Sequence, residues 1–207
     1  MITYRFFGFL CLSLAFHLSA SGQGNFEKLQ SAFVKSYELE GQGEYTRAVA
    51  ALKAAYDPEM YELNLRLGWL NYMAGNFTES SGFYRTAISL KPLSVEARLG
   101  LVLPVSSLGN WDEVLGIYQD ILEIDPKNST VNYRLGSLYY YREEYKKAEQ
   151  HLETVVNLYP FDYDSLLMLA WTKLQMGKNS EAQLLFQKVL LYAPEDSSAL
   201  EGLELLK

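Results

Sequence analysis

Residues equipped for covalent or metal chemistry are scarce in this chain. Cys11 is the only cysteine, and His17 and His151 are the only histidines. Nucleophilic catalysis needs a hydroxyl or thiol activated by a nearby base, and a metal site needs several nitrogen, sulfur or carboxylate donors converging on one point. Cys11 and His17 both lie in the apolar run that opens the chain, so His151 has neither a cysteine nor a second histidine to join it. The paired acids Glu143-Glu144 and Glu195-Asp196 fall at turns and loop ends, where carboxylates favour helix N-termini rather than forming an acid/base couple. No glycine-rich loop cradles a phosphate. The sequence therefore reads as non-enzymatic, with no metal and no cofactor. A formal net charge of −7 opposes nucleic-acid binding, which rests on lysine and arginine neutralising phosphates. What remains is recognition by contact, for which 16 tyrosines, 10 phenylalanines and 3 tryptophans supply the surface.

The elements that must position those aromatics repeat. In the stretch STVNYRLGSLYYYREEYKKAEQHLETVVNLYPFD, Leu135, Leu138, Tyr139 and Arg142 fall at helical spacing, and Tyr145 to Leu158 forms a second amphipathic run. Tyr159-Pro160 stops it, because proline has no amide hydrogen and disfavours helix in the residue before it. Pro58, Pro92, Pro126, Pro160 and Pro194 recur at about 34 residues, the period of a helix-turn-helix solenoid. A single hairpin cannot bury its own apolar stripe, so the copies must stack.

Features inside the period share one phase. A small residue follows leucine in the first helix as Leu67-Gly68, Leu99-Gly100, Leu135-Gly136 and Leu169-Ala170. The turn reads Gly43-Glu44-Tyr45, Gly75-Asn76-Phe77, Gly109-Asn110-Trp111 and Gly177-Lys178-Asn179, while Glu143-Glu144-Tyr145 lacks the glycine. Three residues past the turn's last position come Ala48, Ser80, Val114, Ala148 and Ala182, where the second helix presses on the first. On these residues the chain resembles the tetratricopeptide repeat family. The resemblance implies an all-α, right-handed superhelical solenoid over residues 23–207, with about five hairpins at 26–60, 61–92, 93–128, 129–162 and 163–196 and a capping helix at 197–207. Ser197-Ser198 would start that last helix with a serine cap. The first hairpin is short in its second half, and Pro104 inside the third hairpin predicts a kinked or broken segment near Val102 to Ser107, at a cost of about 3 kcal/mol.

In this family the concave surface built from the first helices commonly binds an extended or helical segment of another protein. Matching the helical faces places Phe33, Tyr37, Leu65, Arg66, Trp69, Tyr72, Met73, Arg98, Leu101, Tyr133, Arg134, Tyr140, Tyr141, Leu167, Met168 and Trp171 on or near that surface. Each aromatic can equally pack between helices. Arg66, Arg98 and Arg134 occupy one slot in three consecutive repeats, where they can receive carboxylates of a partner or pair with glutamates of neighbouring helices.

Residues 1–22 read as an export signal. Arg5 gives a positive start, Phe6 to Leu18 an apolar run, and Ala20-Ser21-Gly22 a small-residue exit before Gln23. The expected setting is a bacterial periplasm or cell envelope, or otherwise the extracellular space, with the membrane met only through that signal or an envelope complex. Two functions fit. One is a scaffold holding a protein segment in its groove; the other is a carbohydrate-associated module whose Tyr- and Trp-rich groove stacks on the sugars of a polysaccharide during its export.

Overall fold

A computed structural model of the protein describes residues 10–207, with side chains from Gly24 onward. The expected export signal at 1–22 lies outside the fully described part. Eleven helices succeed one another among the described residues, with no strand: α1 (Leu10–Gly41), α2 (Tyr45–Lys53), α3 (Tyr61–Met73), α4 (Phe77–Leu90), α5 (Val95–Ser107), α6 (Trp111–Ile124), α7 (Ser129–Tyr141), α8 (Tyr145–Leu158), α9 (Tyr163–Gln175), α10 (Asn179–Tyr192) and α11 (Ser197–Glu204). α2 has 9 residues where α4, α6, α8 and α10 each have 14, which is the shortening seen in the sequence.

The prolines mark a stop followed by a start. The second helices end at Leu90, Ile124, Leu158 and Tyr192, each two residues before a proline. Two residues after it a polar side chain caps the next first helix. Ser94 accepts from the Ala97 amide, Asn128 from Val131, Asp162 from Ser165 and Asp196 from Ala199. The closing helix is thus capped by Asp196, not by the serines that follow, because an aspartate in extended backbone already reaches the third amide. In the hairpin turns the slot before the second helix takes a left-handed conformation, with φ of 74° at Gly43 and 80° at Gly75. Glu143, which has no glycine's freedom, is forced to 61°.

Pro104 does not break α5, and the irregular segment expected over Val102 to Ser107 is continuous helix. The missing amide hydrogen costs only its bond to the Gly100 carbonyl, and the helix beyond is tied by the Leu108 amide donating to the Pro104 carbonyl. Pro104 itself is buried, so apolar packing offsets the lost bond.

The chain divides into two compact units at the third hairpin's turn, the first ending at Asn110 and the second running Trp111–Lys207. In the first unit α1 packs on α2, α3 on α4, and α5 on both α3 and α4. Its core joins Leu39, Ala48, Leu52, Leu63, Leu67 and Leu70. In the second unit α7 packs on α8, α9 on α10, α8 on α9, and α11 on α9 and α10. There Val131, Leu135, Leu152, Leu166, Phe186 and Val189 are sealed from solvent. The small residues predicted at the helix contact, Ala48, Ser80, Val114, Ala148 and Ala182, are all buried.

Candidate protein-binding site

The first unit holds an open cavity of about 590 Å³ along one side of α1, α3 and α5. Five of the residues named from the sequence line it: Phe33 and Tyr37 from α1, and Leu65, Arg66 and Trp69 from α3. Tyr72 sits beside it, its ring 5.9 Å from Trp69 and 5.8 Å from Phe77. Arg98 turns back to donate to the Ser94 carbonyl at 3.1 Å, and Leu101, expected on this surface, is core. Helical periodicity explains the difference: Leu101 lies one residue on from the cavity-lining Gly100, about 100° round the helix.

Arg66 is engaged within the chain. Its guanidinium donates to the Glu40 carboxylate at 2.6 Å and to Ser36 Oγ at 3.3 Å, and lies 3.9 Å above the Tyr37 ring. Trp69 Nε1 donates to the other Glu40 oxygen at 2.5 Å. Burial acts to raise the Glu40 pKa, but the hydrogen bonds from Arg66 and Trp69 and the Arg66 charge outweigh it and hold the carboxyl below its ordinary value. This network fixes two groove residues, Arg66 and Trp69, in place and leaves the guanidinium little capacity for an incoming carboxylate.

Four polar groups that line the cavity were not foreseen: Tyr61, Glu62, Tyr84 and Glu96. Tyr84 belongs to α4, a second helix, yet reaches the cavity because α3 and α5 carry Gly68 and Gly100 on either side of its ring. A Cβ at Gly68 would lie 2.9 Å from the ring and one at Gly100 2.2 Å from Cε1. Tyr84 is 3% exposed, and its hydroxyl makes no hydrogen bond among the described residues. Burial, with the negative charge of Glu96 nearby, pushes its pKa up, so the hydroxyl stays protonated. Tyr61 OH bonds to Ser94 Oγ at 2.8 Å and donates to Glu96 at 3.3 Å. The signal for Tyr84 was present as a large side chain seven residues after Phe77, flanked by two Leu-Gly pairs, but its reach through the helix layer is a tertiary fact.

In the second unit the named residues fall into separate settings. Trp171 Nε1 donates to Ser198 Oγ at 2.9 Å, and its ring meets Phe186 edge-on at 5.2 Å, so it ties α9 to α11. Tyr140 contacts the rings of Tyr141 and Tyr145, and Tyr141 is 77% exposed. Tyr133 and Met168 are half-buried, and Arg134 is exposed with no ion pair among the described residues. His151 packs flat on Tyr139 at 5.6 Å, with Nδ1 2.9 Å from Asn132 Oδ1, and burial lowers its pKa. A carboxylate trio, Glu149, Glu153 and Glu181, surrounds the buried Lys173 ammonium, which occupies the place of a cation. Lys178 also reaches Glu149, at 2.5 Å.

Comparison with known proteins agrees with this architecture. Profiles described as tetratricopeptide repeat match residues 33–95, 107–164 and 142–204. The TPR repeat-containing protein YpiA of Bacillus subtilis is 28% identical over 166 residues, covering 80% of this chain and 39% of YpiA, so the chain spans well under half that relative's length. A crystal structure of a tetratricopeptide repeat protein from Parabacteroides merdae superposes with a TM-score of 0.73 at 23% identity, covering 87% of this chain and 72% of the other. YrrB, described as a TPR protein with an unusual peptide-binding site, gives 0.69 at 15% identity, covering 90% and 97%. With these profiles covering well over half of its length, the chain belongs to the tetratricopeptide repeat family.

Proposed function

We propose that the chain is an exported, non-catalytic scaffold that holds a segment of a partner protein against α1, α3 and α5 of its first unit, within a cell-envelope or extracellular assembly. The tetratricopeptide fold implies a protein–protein interaction scaffold, and proteins of this fold are generally non-catalytic. The observation that carries the finer reading is the cavity itself. It is open and lined by Phe33, Leu65, Trp69, Leu99 and Leu103, an apolar wall that a partner's side chains would cover. YrrB, of the same fold, is described as having a peptide-binding site, which supports reading this surface as one for a peptide segment. Tyr140, Tyr141 and Arg134 give the second unit its own contact surface.

The test is a pull-down with the full chain and with Trp69→Ala and Tyr140→Ala variants whose folding is verified by circular dichroism. A protein captured by the wild type and lost with Trp69→Ala supports the groove; capture unchanged in both variants sinks it. For export, N-terminal sequencing of the chain recovered from the envelope fraction is expected to begin at Gln23.

A further inference from the structure

The arginine slot suggests an acidic partner, but the charges that line the cavity without an ion pair among the described residues are carboxylates. Arg66 is neutralised by Glu40, and Arg98 is bonded to a backbone carbonyl. Glu62 and Glu96, on the first turns of α3 and α5, line the same cavity, and no cation forms an ion pair with either carboxylate among the described residues. The helix N-termini stabilise these charges without consuming them. Between α3 and α5 the cavity is also lined by Tyr84, a residue 3% exposed whose hydroxyl has no hydrogen-bond partner among the described residues and is free to accept from a donor entering the cavity. Alongside stand Leu65, Leu99 and Trp69, which suit a hydrocarbon stem.

From this geometry we propose that the cavity receives a lysine or arginine side chain from an extended segment of the partner protein. The aliphatic stem lies along Leu65 and Leu99, and the cationic head is held by Glu62, Glu96 and the Tyr84 hydroxyl. Long basic side chains combine these two needs, an apolar stem and a charged tip. The chain's overall charge of −7 steers such a segment toward it. This inference rests on the groove reading above and assigns its ligand.

A phage-displayed library of random 12-residue peptides, selected on the immobilised full chain, tests it. Enrichment of lysine or arginine flanked by apolar residues is expected. Binding of a synthetic peptide of the enriched sequence, measured by Trp fluorescence, should weaken on the order of 10-fold in Glu62→Gln and Glu96→Gln, several-fold in Tyr84→Phe, and progressively with salt. Enrichment of acidic peptides, no enrichment, or basic peptides indifferent to all three substitutions overturns the assignment. Trp69→Ala separates the two claims. If it abolishes binding of whichever peptides are selected while the charge substitutions do nothing, the groove stands and the basic ligand falls; if it leaves binding intact, the groove itself is wrong.

Discussion

The ring of Tyr84 occupies the space that a side chain at Gly100 would fill: a Cβ there would lie 2.2 Å from Cε1 and 2.6 Å from Cζ. A side chain from the outer layer of helices is thereby threaded between two inner ones, and the inner glycines are needed for its passage rather than for backbone freedom.

Gly100→Ala should therefore destabilise the first unit by about 1–3 kcal/mol, since the ring, held by Gly68 on its other side, cannot move away. Gly82→Ala is the control. That glycine is exposed on α4 with nothing within 4 Å, and alanine's better helix propensity should stabilise by about 0.5–1 kcal/mol. Urea unfolding of both variants checks the contrast; equal signs would refute the wedge.

Glu143 sits at φ 61° in the slot that glycine fills in the other four turns. Glu143→Gly should relieve the crowding between its Cβ and the backbone and raise stability by about 1 kcal/mol, less the entropy glycine adds to the unfolded chain. A rise in the denaturation midpoint is the expected reading, and a fall would mean the entropy term dominates.

Lys173 is 4% exposed and reaches Glu149, Glu153 and Glu181. Burial acts to lower its pKa, but the three carboxylates raise it above the ordinary lysine value. Lys173→Met leaves buried Glu149 with Lys178 alone and should cost about 3 kcal/mol. Replacing Glu149 by methionine in the same chain should recover part of that loss. If the double variant is no more stable than the single one, the cost was one of packing.

His151 is held below its ordinary pKa by burial against Tyr139. The folded state then binds the proton more weakly than the unfolded one, so this contribution to stability is complete above about pH 6.5 and is lost as pH falls from there toward the lowered folded value. Denaturation midpoints measured between about pH 7.5 and 5 should fall with pH in the wild type, and His151→Phe should reduce that slope.

Much of the fold was legible because its signals are local. A proline lacks an amide hydrogen wherever it stands, so the 34-residue period marked the second-helix stops at Leu90, Ile124, Leu158 and Tyr192, while the shorter α2 ends earlier, at Lys53. A residue forced into the left-handed region favours glycine, so the turns stood out, with Glu143 as the visible exception. The burial of Ala48, Ser80, Val114, Ala148 and Ala182 was legible too, as small or branched residues at one phase of the tetratricopeptide pattern.

The site was decided by the tertiary structure. One arginine slot has three outcomes because the neighbours differ: Glu40 comes from α1 to meet Arg66, the Ser94 carbonyl takes Arg98, and Arg134 forms no ion pair among the described residues. Whether Pro104 breaks a helix depends on the core it is buried in, and whether Tyr84 reaches the groove depends on two glycines from other helices. Backbone preferences act within a few residues and can be read along the chain. The balance of charge in the cavity is set by groups about 30 residues apart, and only folding selects which of them meet.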